Sequence, residues 1–137
     1  MKQLVSHHVS GKLKIAPEHT EKNILTLMGK PDISKLVQFK KEFDTMTRNA
    51  GKKQFLTYYL IAAHPGCREK DMMQMKQFVR QNLKIAPEQV QIFTPSPSTF
   101  SSLMYCTGTN PFTNEKIFVE RNLKACEKQK SLIVNKH

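Results

Sequence analysis

The sequence predicts an α/β fold with parallel strands. Apolar segments of strand length alternate with amphipathic segments of helix length. The longest apolar run, Phe55 to Ala63, is broken only by Thr57 and lacks the alternation of a half-exposed strand. Each strand-like segment ends in a loop of polar and turn-forming residues. With 137 residues the chain has room for one domain with a modest core.

The first element, Val9 to Ala16, is a strand with Val9, Leu13 and Ile15 apolar, and Pro17, lacking an N–H, ends it. Thr20 stands where a helix cap belongs, ahead of Ile24, Leu25, Leu27 and Met28, and Gly29 and Pro31 stop that helix. Asp32 or Ser34 caps the next. Its Leu36, Phe39, Phe43 and Met46 recur at three- and four-residue steps along one face, and Asn49 and Gly51 close it. Gln54 to Ala63 follows as a strand buried on both faces. His64 to Cys67 (HPGC) is a loop. Arg68 to Asn82 is a helix with Met72, Met75, Val79 and Leu83 on its apolar face, the methionines serving as flexible core filling. Val90, Ile92 and Phe93 form a short strand, and Thr94 to Thr99, with two prolines, a stiff loop. Leu103 to Phe118 reads as irregular, with Gly108, Asn110, Pro111 and Asn114 as turn residues, and Val119 to Val134 as a final basic helix. A boundary near residue 100 separates a core, residues 1–100, from a tail, residues 101–137.

The string LKIAPE occurs at Leu13–Glu18 and again at Leu83–Glu88. The first copy precedes a capped helix; the second straddles a helix end and the turn into a strand. The repeat is therefore coincidental and marks no duplicated unit.

Composition narrows the function classes. No apolar run approaches the ~20 residues of a membrane helix, and the first residues lack the apolar stretch of a secretory leader. Cys67, Cys106 and Cys126 are an odd, scattered set that fits reduced thiols in a cytoplasm. Lysine and arginine total 22 against 11 acids, a net charge of +11, which attracts phosphate-rich partners. The lysines are dispersed, so most belong to a solvated surface, and a basic RNA-binding module is the alternative reading. No Walker loop, no GxGxxG and no CxxxCxxC cluster motif is present.

Three polar loops leave the carboxyl ends of the expected strands, the edge where ligands bind in parallel sheets. Glu18, His19, Thr20, His64, Cys67, Thr94 and Ser96 are thereby candidates for one cleft. Cys67, just ahead of a helix, is a possible nucleophile with His64 as base, although nothing in the sequence orients that histidine, and a small residue at a tight turn is the simpler reading. His7 and His8, with His19, are weak metal-ligand candidates, since adjacent residues of a strand point apart.

Three segments, HHVSGKLKIAPEHTEKNILTLMGKP, FLTYYLIAAHPGC and QVQIFTPSPSTFSSLMYCTGTNPFT, resemble in order the later part of the YgiQ-like family of radical S-adenosylmethionine proteins. The likeness runs from about Leu4 to Leu132. It implies the last three βα units of a partial, TIM-like (β/α) barrel over residues 1–100, followed by a family-specific tail. It also implies a parent enzyme using S-adenosylmethionine and a [4Fe-4S] cluster whose ligands lie in an N-terminal half not represented here, so that this chain alone is inactive. By position in the family pattern, Glu18, His19, Thr20 and His64 face the cofactor, and Thr94 and Ser96 the substrate. Cys106 departs from the family's usual MYYTG. Half a barrel would expose an open edge and an apolar inner face, so self-association is expected.

Overall fold

In the computed structural model, residues 3, 5, 7, 9–84 and 89–134 are described. Strand β1 (Lys12–Glu18) leads through α1 (Lys22–Leu27) and α2 (Ile33–Asn49) to β2 (Phe55–Ala62). Helix α3 (Glu69–Phe78) winds on as a π-turn, Val79–Leu83, before β3 (Gln89–Ile92). Helices α4 (Phe100–Thr107) and α5 (Leu123–Ile133) complete the chain. The fold is mixed α/β, around a three-stranded sheet of order β1-β2-β3 with both pairs parallel.

Register separates the sheet into two unlike faces. Leu13 and Ile15 share one face with Leu56, Tyr58, Leu60, Ala62 and Val90, because paired residues point the same way and neighbours alternate. On this face the core closes against Phe39, Phe43 and Met46 of α2, Met72 and Met75 of α3, and Val79 and Leu83 of the π-turn. Ile24 of α1 and Ile133 of α5 join the same cluster. Each fully buried side chain of this size stabilises the fold by roughly 1.5–3 kcal/mol. A strand–helix–strand connection between parallel neighbours is right-handed, so sequential strand order puts α2 and α3 on one side.

The other face carries Lys12, Lys14, Phe55, Thr57, Tyr59, Ile61, Gln89 and Gln91, of which only Thr57 is buried. Two expectations are corrected here: β2 is buried fully on one face only, and the uncovered face is mixed, its lysines, glutamines and Thr57 set among Phe55, Tyr59 and Ile61.

Several boundaries also differ from the sequence reading. Val9 lies ahead of β1, buried in the core. Thr20 does not cap α1; Glu21 occupies the cap without a side-chain bond, whereas Asp32 caps α2 by accepting from the Ser34 N–H at 2.9 Å. Part of the segment expected to be irregular is α4, capped by Thr99, which accepts from the Ser102 N–H at 3.1 Å. The final helix begins later, at Leu123, where the Asn122 side chain accepts from the N–H groups of Lys124 and Ala125. The first LKIAPE runs along β1. The second begins at the end of the π-turn, where Lys84 is left-handed, and its Ile85 to Glu88 lie outside the described residues.

One polar atom of the core has no partner among the described residues: the Tyr58 hydroxyl, whose pKa burial pushes up to about 12. Tyr58→Phe is therefore expected to leave stability unchanged or raise it by about 1 kcal/mol. A loss of more than about 1 kcal/mol in urea unfolding would show that the hydroxyl is satisfied.

Candidate functional site

All three strands of a parallel sheet end on one edge, so the loops after β1, β2 and β3 gather there. Pro17 cannot donate to the ladder, and the register slips between Ile15 and Glu18. Glu18 then takes a left-handed conformation (φ 67°), which costs a non-glycine residue roughly 1–2 kcal/mol. Its half-buried carboxylate pairs with Lys30 at 3.1 Å. The turn sends His19 inward, where it is fully buried. Thr20 is buried beside it and donates to Glu21 Oε1 at 3.1 Å.

A chain of hydrogen bonds starts at His19. Its Nδ1 accepts the Glu21 N–H at 3.1 Å, so the ring proton sits on Nε2, which faces Cys67 Sγ at 3.5 Å. The thiol in turn lies 3.6 Å from Gln129 Oε1 on α5. Gln129 is buried, accepts the Ala63 N–H at 3.1 Å and donates to the Cys67 carbonyl at 3.5 Å. Ala63 is itself left-handed, at φ 57°.

His64 belongs to a neighbouring cluster. Its Nδ1 lies 2.8 Å from the Pro65 carbonyl and so donates to it, leaving Nε2 to accept from Ser101 Oγ of α4 at 2.8 Å. Its ring meets Phe93 edge-on, centroids 5.1 Å apart. Gly66 follows at φ 90°, and its N–H donates to the Phe118 carbonyl at 2.7 Å. A Cβ there would stand 2.4 Å from Leu27 Cδ1. The Arg68 guanidinium lies over the Phe118 ring at 4.2 Å, and Asp71 accepts both the Arg68 N–H (2.8 Å) and an Asn23 amide proton (3.2 Å).

Burial sets the protonation of this network. Desolvation lowers the His19 pKa to about 4, partly countered by the Asp71 carboxylate. Desolvation, then Asp71, raises that of Cys67 to about 12. Burial also lowers the pKa of His64. Near neutrality both imidazoles are uncharged and the thiol keeps its proton, so Cys67 is a packed thiol and not an activated nucleophile. Its histidine partner is His19 and not the anticipated His64.

Of the residues singled out in the sequence, His19, Thr20, His64 and Cys67 are brought together behind the carboxyl edge, and Glu18 sits at its rim. Thr94 and Ser96 lie in the exposed loop after β3. Thr94 donates to the Ile92 carbonyl at 3.4 Å, and only the backbone of Ser96 is held, by Ser102 of α4 and the Thr99 hydroxyl. Ser101, Phe118 and Gln129 were missed. The spacing of Cys126, Gln129 and Ile133, all buried on α5, was the available signal for Gln129. Cys106 is exposed and Cys126 buried, His7 is exposed, and His8 lies outside the described residues. Among the described residues no three of His, Cys, Asp and Glu are grouped to hold a metal ion, and no helix is long and apolar enough to cross a membrane.

No family model matches the chain. Over 99% of its length it is 56% identical to a stretch that makes up 24% of a UPF0313 protein of Fusobacterium nucleatum. It is 42% identical to 20% of a UPF0313 protein of Clostridium perfringens, with 96% of the chain covered. A UPF0313 protein of Thermotoga maritima matches at 40% identity, over 99% of the chain and 24% of the relative. The chain thus spans a quarter or less of the length of these relatives.

Gln129→Leu, which keeps the bulk but strands the Ala63 N–H and the Cys67 carbonyl, is expected to cost about 2–4 kcal/mol, read as a lower urea midpoint at unchanged m. A loss below about 0.5 kcal/mol would show the clamp to be dispensable. His19 gives a pH signature. Its folded pKa of about 4 lies below the ordinary 6.5, so between these values the unfolded chain binds the extra proton. Stability is full above pH ~6.5 and falls as pH drops toward ~4, by about 3 kcal/mol in all. His19→Gln should flatten that slope in denaturation measured between pH 7 and 4; an unchanged slope would show that His19 is not its source.

Proposed function

We propose that this chain forms the last three βα units of a partial (β/α) barrel in a radical S-adenosylmethionine protein, and that its carboxyl edge contributes to the cofactor and substrate pocket. The observation that carries this reading is the sequential parallel order β1-β2-β3 with helices packed on one face. Doubly wound sheets reverse their strand order and cover both faces; barrels keep sequential order and leave one face to a lumen. An apolar cavity of about 330 Å³ beside β1, lined by Ile15, Pro17, Leu25, Leu36 and Phe39, offers a seat for the helix of a preceding unit. The length of the relatives leaves ample chain to supply such units.

In this reading residues 1–100 are barrel and residues 101–137 are the tail that braces the carboxyl edge through Ser101, Phe118 and Gln129. The described residues do not fit a [4Fe-4S] cluster: Cys67 is a buried neutral thiol, and no group of thiolates converges. Cluster ligands would have to come from the N-terminal half of a longer protein. The donor set does suit S-adenosylmethionine, which in this chemistry is the source of a radical that abstracts hydrogen from substrate. The Glu18 carboxylate, oriented by Lys30, would take the cofactor's ammonium or ribose hydroxyls. His19, Thr20 and His64 stand behind it and hold the loops in place, and Thr94 and the Ser96 loop lie toward substrate. Nothing comparable favours the RNA-binding alternative: its lysines are spread over α2 (Lys35, Lys40, Lys41), α3 (Lys70, Lys76) and α5 (Lys124, Lys128, Lys130).

The test uses the Fusobacterium relative, prepared anaerobically with iron and sulfide, and a chimera carrying this chain in place of its matching stretch. Both are expected to bind S-adenosylmethionine and, with dithionite, release 5′-deoxyadenosine. Glu18→Gln in the chimera should weaken cofactor binding about tenfold or more at unchanged iron content. Failure of the unaltered relative to bind S-adenosylmethionine overturns the reading.

A further inference from the structure

The uncovered face of the sheet carries two hydrogen bonds and a cation–ring contact that together link side chains of all three strands. From β1, Lys14 donates to Gln89 Oε1 on β3 and lies over the Tyr59 ring of β2, 5.7 Å from its centroid. Tyr59 in turn donates its hydroxyl to Gln91 Oε1 on β3 at 2.7 Å. Lys12, two residues before Lys14 on the same face, sits 5.4 Å from the Phe55 ring centre.

The direction of these bonds decides what the face can recognise. Each glutamine oxygen accepts one donor, from Lys14 of β1 at Gln89 and from Tyr59 of β2 at Gln91, and an ammonium can only donate, so the amide orientation of Gln89 is settled. The Nε2 groups of Gln89 and Gln91 and the remaining Lys14 protons have no acceptor among the described residues. The Gln89 and Gln91 amides and the Lys14 ammonium therefore present donors and positive charge, and among the described residues that pair across the sheet no carboxylate shares that face. The partners of Lys14 are an amide oxygen and an aromatic ring, both neutral, which orient the ammonium without cancelling its charge.

We propose that Lys14, Tyr59, Gln89 and Gln91 form a binding site for a small oxyanion, a carboxylate or phosphate group of a substrate or ligand. Lys14 provides the charge, and the two amide Nε2 groups fix the orientation by donating to separate oxygens. Tyr59 positions Gln91 through its hydroxyl and Lys14 through its ring. That this face lines a lumen, and that the bound anion is the substrate, rests on the barrel reading; the site itself rests on these side chains alone.

The experiment titrates the isotopically labelled chain with inorganic phosphate and, separately, acetate at constant ionic strength, following backbone and glutamine side-chain amide resonances. Saturable shifts confined to Lys14, Tyr59, Gln89 and Gln91 are expected, and the tighter of the two anions identifies phosphate or carboxylate as the preferred group. Lys14→Gln should raise the dissociation constant about tenfold or more, and Gln89→Leu by several-fold, each with an unchanged spectrum elsewhere. Lys14→Arg, which keeps the charge, should retain binding. Shifts scattered over the α2 and α5 lysines and unaltered by Lys14→Gln would overturn the proposal and favour a diffuse polyanion surface such as one for RNA. The absence of any saturable shift with either anion would also overturn it. Since no S-adenosylmethionine or cluster enters this titration, its failure is distinguishable from failure of the barrel reading in the relative.

Discussion

The turn from β2 into α3 is the constraint on which the carboxyl edge depends. Within five residues the backbone passes through a left-handed alanine, Ala63, and a glycine at φ 90°, Gly66. The first is unfavourable for a residue with a Cβ, the second is open to glycine alone, and each is held from outside the turn. Ala63 gives its N–H to Gln129, and Gly66 gives its N–H to Phe118. The absent side chain of Gly66 leaves the space that Leu27 fills. Because His64 and Cys67 flank Gly66, the same turn sets where the imidazole and the thiol lie, and through Cys67 it reaches His19 at the end of β1. A local strain of a few kcal/mol is thus spread over contacts from α1, α4, α5 and the loop before α5.

Burial without charge is the second organising feature. Two histidines, a cysteine and a glutamine lie close together at the strand ends, a set that at first sight suggests chemistry. Desolvation favours the neutral forms of the histidines and the thiol; His19, Cys67 and Gln129 bond one another, and His64 bonds Pro65 and Ser101 beside them. Such a network stabilises only as a whole, since any member removed leaves a buried partner unsatisfied. It acts as scaffold for the groups at the rim, chiefly Glu18 and the loop after β3.

The sheet divides its labour between its faces. The face beneath α2 and α3 is almost wholly apolar and supplies most of the burial that stabilises the domain. The opposite face gives up that stabilisation, placing lysines over aromatic rings and amides in line with a phenol. Leaving a central parallel strand covered on one side only is unusual, because parallel sheets are ordinarily enclosed. The polarity of the open face makes it tolerable in water and at the same time selects what can cover it.

The sequence by itself determined the α/β class, the order of strands and helices as far as β3, the apolar faces of α2 and α3, and the gathering of polar loops at the strand ends. These follow from hydrophobic period and from proline and glycine punctuation, which act over a few residues. It also carried the likeness to longer proteins through strings such as LKIAPEHT and AAHPGC. Strand parity in β2 was harder to see, since Phe55, Tyr59 and Ile61 are as apolar as their buried neighbours, and only pairing with Lys12, Lys14, Gln89 and Gln91 shows that they face the open side. Tertiary structure alone decided that His19 and not His64 meets Cys67, that Gln129 of the tail closes the turn after β2, and that Lys14 is framed by Tyr59 and Gln89. These contacts join residues between 45 and 75 positions apart. No local pattern encodes such pairs; they arise when register and crossover handedness bring separate strand ends to one edge and separate strands to one face.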